Sequence, residues 1–393
     1  MTRVAYLIHS AAPSGAELAL GRALSVWPTH STVEVHLAAD GPVVDTYRRL
    51  GVRVHVRPLS EASRATRRDA GARAKAAALL ALLRYAVRLR RELRGSRPDV
   101  VVAGSLKAVV YARIATAFSG TPLVWSVHDR VGRDYLGPAA PFFSRVLPSL
   151  VDGIIVNSRA TLASLTAGRT PVLICPPGAR LRRVARPVGE QVRNIAVLGR
   201  LSPWKGQLEA VRAFASAALP SSTRLHLIGG ALFGEHDYES VLRETVAELG
   251  VDDRVVFHGH VDDPRFLLEE MDMLAHTSVL PEPFGSVVLE GMDAGCVVIA
   301  SRPGGPAEVV QDGVNGFLVP CGDVDALREA LTSTAALGPG ARRELVAAGH
   351  RTTGRYAIGV TTPARAGFIR AIARGRRLPA VTEWHQWTEE MDR

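Results

Sequence analysis

Lysine is nearly absent from this 393-residue chain, which holds only Lys75, Lys107 and Lys205 against 45 arginines. A position where any cation would serve should be lysine about once in 16. A lysine in a ligand-friendly loop therefore points to a need for a compact, flexible ammonium group. Cysteine is equally sparse. Cys175, Cys296 and Cys321 are widely spaced with no C-x-x-C pair, so spacing supports neither a disulfide framework nor a zinc knuckle. No run approaches the roughly 18 to 20 apolar residues needed to span a bilayer. The opening M-T-R-V-A-Y-L-I-H has one charge and a short apolar run, and reads as a first strand rather than a secretion signal. A reducing cytoplasm is the expected location, with a peripheral place at the inner membrane face as the alternative. No D-x-D pair stands in a metal-binding context, so no metal ligand is assigned and metal independence is expected.

What is present is the composition of a globular protein, 47% apolar and 22% charged. The length suits two domains of nearly equal size. The formal charge of +10 is concentrated, since residues 62–97 alone carry eleven basic and two acidic side chains. The second half of that segment has Leu79, Leu82, Leu83, Ala86, Leu89 and Leu93 on one helical stripe, with Arg84, Arg88, Arg91 and Arg94 elsewhere on its surface. It reads as a helix packed on a sheet with a solvated arginine face. The rival reading is a basic patch making weak contact with an anionic membrane surface or an acidic acceptor. Nucleic acid is excluded as a partner, because there is no aromatic interleaving and no reader motif.

Apolar runs alternate with helical patterns from end to end, which predicts a parallel α/β sheet twice over. Strands are expected at 4–9, 33–38, 52–56, 100–103, 123–127 and 153–157, then at 194–198, 224–228, 255–258, 273–276, 297–300 and 316–319. Helices are expected at 16–27 and 72–94, with a terminal helix over 356–377. The arginine-rich stretch 180–193, which contains Pro187, is the expected linker. The expected domains are 1–185, 186–355 and a terminal segment 356–393. The tail after Leu378, with Trp384 and Trp387, yields no reading.

The most informative stretch is residues 281–295, P-E-P-F-G-S-V-V-L-E-G-M-D-A-G. Pro281 and Pro283 pin the backbone on either side of Glu282. Gly285 allows close approach to its backbone, and Ser286 reads as the N-cap of a short buried helix that carries Glu290 one turn in. One acid in the loop and one in the helix can hold two ends of a long polar ligand, with helix N–H groups suited to an anion.

This segment resembles the E-x7-E motif of the retaining glycosyltransferases of family 4, also grouped as glycosyl transferases group 1. Two further runs are similar to that family: G-R-L-S-P-W-K-G at 199–206, and G-G-P-A-E at 304–308 followed by D-G-V-N-G-F at 312–317. Order and spacing fit over roughly 190 to 335. The first half matches more loosely, through S-G-A-E at 14–17 and V-H-D at 127–129. The resemblance implies the GT-B fold, two Rossmann-like domains facing across a cleft, with an acceptor-side first domain and a nucleotide-sugar-binding second one.

It also implies roles. Arg200 and Lys205 would neutralise the leaving diphosphate, Glu290 would accept the ribose hydroxyls, and Glu282 would accept hydroxyls of the donor sugar. Backbone amides of Phe284, Gly285 and Ser286 would help to hold the sugar or diphosphate. Gly15 lies in a strand-to-helix turn of phosphate-cradling type, though Ser14 stands where the family often has a second glycine. His128 resembles the family's histidine near the donor sugar. Lys107, at the mouth of a first-domain strand, is a further acceptor or phosphate candidate. Gly291 and Asp293 replace the family's usual alanines. The expected activity is transfer of a hexosyl unit from a UDP-, GDP- or dTDP-sugar to a sugar, lipid-linked or natural-product acceptor, with retention and without a cofactor. No nucleophile stands out, which favours front-face attack. A sugar-nucleotide epimerase and a non-catalytic nucleotide-sugar binder are the alternatives. The arginine-heavy composition hints at a GC-rich, bacterial genome.

Overall fold

The computed structural model describes residues 1–59, 72–182, 187–231 and 235–387, and divides into two compact units. The first comprises Met1–Gly178 and Ile358–Arg393, the second Ala179–Ala357. The chain thus enters the second unit seven residues before the expected boundary and rejoins the first at Ile358.

The first unit is built on eight strands, β1 (Thr2–Ile8), β2 (Ser31–Leu37), β3 (Arg53–Val56), β4 (Val100–Ala103), β5 (Leu123–Val127), β6 (Gly153–Val156), β7 (Val172–Ile174) and, from the chain's tail, β14 (Val381–Glu383). Their order is β14-β7-β6-β5-β4-β1-β2-β3, and every pairing is parallel. Parallel strands covered on both faces read as continuous apolar runs, as in V-V-V-A of β4, buried throughout. The tail that resisted reading supplies an edge strand. Trp384 and Trp387 pack on the core, Trp387 edge-on to Phe368 of the terminal helix Ile358–Ala373.

The second unit has six parallel strands, β8 (Asn194–Leu198), β9 (Arg224–Ile228), β10 (Val255–Gly259), β11 (Met273–His276), β12 (Val297–Arg302) and β13 (Phe317–Pro320), in the order β10-β9-β8-β11-β12-β13. In each sheet the strand order reverses once near the middle, between β1 and β4 and between β8 and β11. Such switch points open a crevice at the carboxyl ends of the strands, where α/β sheets take ligands.

The basic helix forms as Ala72–Ser96. Leu82, Tyr85, Ala86, Leu89 and Leu93 pack on the first sheet. The expected stripe is corrected at two positions: Leu79 and Leu83 are exposed, together with Leu80 and Val87. Leu83 and Val87 alternate with packed Leu82, Tyr85 and Ala86, so the exposed residues lie on the face of the helix turned away from the sheet. Residues 60–71 of the basic patch lie outside the described residues. No described helix is long and apolar enough to cross a membrane.

Within the linker stretch, Arg342 is 1% exposed and spends its guanidinium on backbone carbonyls. It donates to Gly189 O at 2.8 Å, Glu190 O at 2.9 Å and Leu337 O at 3.2 Å, fixing the chain as it approaches β8. Arg342→Met keeps the apolar stem but strands these acceptors. It should lower stability by about 3 kcal/mol in urea unfolding, since each buried unpaired group costs about 1–3 kcal/mol.

Candidate active site

In the second unit the β8–β11 switch point carries an ion pair joining the two strand-end loops. Lys205 closes a short 3-10 turn, Pro203–Lys205, just after β8. Its Nζ lies 2.6 Å from Glu282 Oε1 and 2.8 Å from Oε2. The side chains are 17% and 12% exposed. The ammonium also sits 4.2 Å from the Trp204 ring centroid, an attractive cation–π contact.

Two residues that sequence reasoning missed complete the cluster. Ser278 Oγ donates to Glu282 Oε2 at 2.6 Å, and His276 Nε2 lies 2.8 Å from the same oxygen. The Ser301 N–H points at His276 Nδ1 at 3.4 Å, so the ring proton sits on Nε2 and is donated to Glu282. The only signal in the sequence was a histidine closing an apolar strand six residues before the acid. Burial works to raise the Glu282 pKa, but Lys205 and His276 outweigh it and hold the carboxyl well below the usual range.

The loops can meet because glycine stands where they touch. A Cβ on Gly206 would lie 1.9 Å from Thr277 O, and one on Gly305 2.4 Å from Phe284 Cα. Hydrogen bonds hold these approaches: Thr277 Oγ1 to Lys205 O at 2.9 Å, Val279 N to Trp204 O at 2.9 Å, and Gly305 N to Glu282 O at 2.9 Å. The G-G run after β12 thereby cradles the P-E-P-F run after β11.

The cap of the next helix is corrected. Ser286 is its first residue in Ser286–Asp293, and Gly285 occupies the cap position at φ 79°, a left-handed conformation glycine adopts without strain. Phe284 is buried, so its side chain is taken up by packing and only its backbone is offered to a ligand. Glu290 is half-buried on the helix, where its charge is felt by Arg265. Arg200 follows β8 but turns to a different acid, with Nε 3.6 Å from Glu235 Oε2; Ser202 Oγ donates to Glu235 Oε1 at 2.7 Å. The two departures from the family pattern have structural reasons. Gly291 packs on β11, where a Cβ would meet Leu274 at 2.9 Å, and Asp293 Oδ2 accepts the Arg182 N–H at 2.8 Å.

In the first unit, Gly15, Lys107 and His128 all follow carboxyl ends of strands, those of β1, β4 and β5. Gly15 opens the helix Gly15–Leu24, and a Cβ there would meet no atom within 4 Å. Packing among the described residues therefore does not demand the glycine. Ser14 Oγ donates to the buried Glu17, which braces the turn. His128 Nε2 lies 3.1 Å from Ser126 Oγ, and its carbonyl accepts from Asn157 Nδ2 at 2.9 Å. Desolvation, with Arg365 adding to it, pushes the His128 pKa down to about 3, so the ring is neutral at pH 7. Lys107 is exposed in the first turn of Leu106–Ala115, and with burial it disfavours protonation of His9.

Two parallel α/β units with polar side chains gathered at strand ends define the architecture, and comparison with known proteins places it in a family. The family profile for glycosyl transferases group 1 matches residues 182–350, and that for glycosyltransferase family 4 matches residues 30–183. The chain belongs to this glycosyltransferase family and has its GT-B fold. A D-inositol 3-phosphate glycosyltransferase of Acidothermus cellulolyticus is 30% identical over 60% of this chain, which spans 58% of that relative's length. A glycogen synthase of Mycobacterium tuberculosis is 29% identical over 76% of this chain and 75% of its own. The Anabaena protein HepE, solved in complex with UDP and glucose, has a TM-score of 0.79 and 25% identity, over 94% of this chain and 100% of that one.

The depressed pKa of Glu282 makes a prediction about acid. A carboxyl whose folded-state pKa lies below its ordinary value of 4.5 contributes stability that is complete above that value and is lost as pH falls beneath it. Glu282→Gln should therefore melt below the parent at about pH 7, and the gap should narrow towards about pH 3.5. A gap that stays constant over this range would show that the ion pair is not its source.

Proposed function

We propose that this protein transfers a hexosyl unit from a nucleoside diphosphate sugar to an acceptor hydroxyl with retention of configuration. The observation that carries the reading is the Lys205–Glu282–His276–Ser278 cluster at the β8–β11 switch point. Two of the three ammonium hydrogens of Lys205 serve Glu282, which leaves one for a phosphate oxygen of the leaving group. Fixed positive charge at that point stabilises the diphosphate as the glycosidic bond breaks. Arg200, after the same strand, adds a second cation. Glu282 Oε2 already accepts from three donors and Oε1 from one, so Oε1 retains room for a single sugar hydroxyl.

A carboxylate so fully hydrogen-bonded and so weakly basic is a poor nucleophile. This supports front-face attack, in which the departing phosphate oxygen takes the proton of the acceptor hydroxyl. Glu290 accepts from the ribose hydroxyls, and the backbone of Phe284, Gly285 and Ser286 lines the sugar and diphosphate. On the first unit, neutral His128 offers a hydrogen bond without charge, while Gly15 and Lys107 stand at strand ends for donor and acceptor. No metal or other cofactor enters this chemistry. UDP-glucose is the first donor to test, given the ligands of HepE.

Thermal-shift screening of UDP-, GDP- and dTDP-sugars identifies the donor by its stabilisation of the folded state. With that donor, Lys205→Ala should lower kcat by about 10²-fold or more, the scale for losing one electrostatic contact in the transition state. A kcat within about threefold of the parent, in a variant of native melting behaviour, would refute the role.

The exposed apolar residues Leu79, Leu80, Leu83 and Val87 beside exposed Arg84, Arg88 and Arg91 support a lipid-linked acceptor over a soluble one. Wild-type protein should sediment with anionic vesicles and be released by salt, each arginine near such a surface contributing about 1 kcal/mol. The variant with Arg84, Arg88, Arg91 and Arg94 changed to Gln should stay in the supernatant. If both proteins remain soluble, the acceptor is a free sugar or natural-product scaffold.

A further inference from the structure

The outer edge of the first sheet, away from the β1–β4 switch point, gathers titratable side chains that glycosyl transfer does not use. Glu34 and His36 lie two apart on β2 and so share one face of the sheet, and His55 stands directly opposite His36 on edge strand β3. Glu92 joins them from the helix Ala72–Ser96. His36 Nε2 lies 3.1 Å from Glu34 Oε1, and His55 Nε2 lies 3.5 Å from Glu34 Oε2. The two imidazoles stack with centroids 4.5 Å apart. On its other side, His36 Nδ1 is 3.5 Å from Glu92 Oε2, while Arg57 Nε donates to Glu92 Oε1 at 2.6 Å.

With His36 neutral, hydrogen bonding leaves this cluster mismatched; a proton or a metal ion would resolve it. Among the described residues, His36 Nδ1, His55 Nε2 and Glu92 Oε2 are buried and make no hydrogen bond, and the His36 side chain is only 3% exposed. A neutral imidazole has one donor and one acceptor. With the Nε2 proton directed at Glu34, His36 Nδ1 becomes an acceptor that faces the Glu92 carboxylate, itself an acceptor. Buried groups opposed in this way are costly unless something else satisfies them.

A cation removes the conflict. One ligand atom each from Glu34, His36 and His55 lies within 4.8 Å of the others. Zinc bonds of about 2.0–2.1 Å give tetrahedral edges of about 3.3 Å. The 3.1 Å approach of His36 Nε2 to Glu34 Oε1 is close to such an edge, while His55 Nε2 lies 3.5 Å from the other oxygen of the same carboxylate, so the His55 ring must turn to share the ion. Metal on His36 Nε2 moves the ring proton to Nδ1, where it meets Glu92 Oε2. That is a carboxylate–imidazole–metal relay, with Arg57 steadying the carboxylate. Glu34 also lines a cavity of about 330 Å³, together with Arg3, Arg53 and Ser96.

We propose that Glu34, His36 and His55 bind a divalent transition-metal ion of the zinc type, oriented by Glu92. Two imidazoles and a carboxylate suit zinc or cobalt better than magnesium or calcium. The ion ties edge strand β3, paired on one side only, to β2 and the covering helix. It is structural, and it stands apart from the transfer reaction.

Tag-free, chelator-stripped protein titrated with zinc chloride should show one saturable site by calorimetry and a melting temperature raised by a few degrees, roughly as mass action requires. Cobalt(II) should give the visible absorption bands of a tetrahedral site. His55→Gln, at a partly exposed position, should abolish binding. Glu92→Gln, which removes only the orienting charge, should weaken it about 10- to 100-fold. Glycosyl transfer should be unchanged in both variants. Wild-type protein without a saturable site, or affinity equal to the parent's in both variants, would overturn the proposal.

Discussion

The candidate site depends on one interaction, the ion pair between Lys205 and Glu282. Each residue leaves the sheet on a different side of the β8–β11 switch point, and the pair draws the two loops together. Largely buried charges in contact lose much of their hydration, and the attraction between them repays this only with good geometry and further hydrogen bonds. Here Ser278 and His276 supply those bonds, and His276 is in turn oriented by the Ser301 N–H. The close approach of Gly206 to Thr277 and of Gly305 to Phe284 follows from the same requirement. A side chain at either glycine would hold the loops apart and break the pair.

The parallel topology explains why the candidate residues gather where they do. Every strand in both units runs the same way, so the following loops collect at one edge of each sheet. The second unit places Arg200 and Lys205 after β8, the two glutamates after β11, and the glycine pair after β12. The first unit repeats the device with Gly15, Lys107 and His128 after β1, β4 and β5. Charge is divided between the two ends. The second unit offers an ion pair with one donor to spare, and the first a neutral histidine and an exposed lysine.

Away from those ends the first unit carries two further features with physical content. The helix Ala72–Ser96 is a scaffold on one face, through Leu82, Tyr85, Ala86, Leu89 and Leu93, and an exposed, basic, apolar surface on the other. The cluster of Glu34, His36 and His55 lies under the second half, where Glu92 turns inward among arginines that turn out. One helix thus serves the core with one face and the solvent with the other.

Local pattern was enough to read much of this from the sequence. Five strands, at 100–103, 123–127, 194–198, 224–228 and 273–276, come out residue for residue, because buried parallel strands are continuous apolar runs cut by polar turns. The E-x7-E and G-R-L-x-x-x-K-G runs, and the scarcity of lysine, marked Lys205, Glu282 and Glu290. Short or late elements escaped: β7 has three residues, and β14 is a strand only because β7 offers it an edge. The pairing of Lys205 with Glu282 across 77 positions, the part of His276, and the meeting of His36 with His55 were decided by tertiary structure. Composition and periodicity report on neighbours along the chain. Which side chains touch depends on strand order, and strand order is a property of the whole sheet.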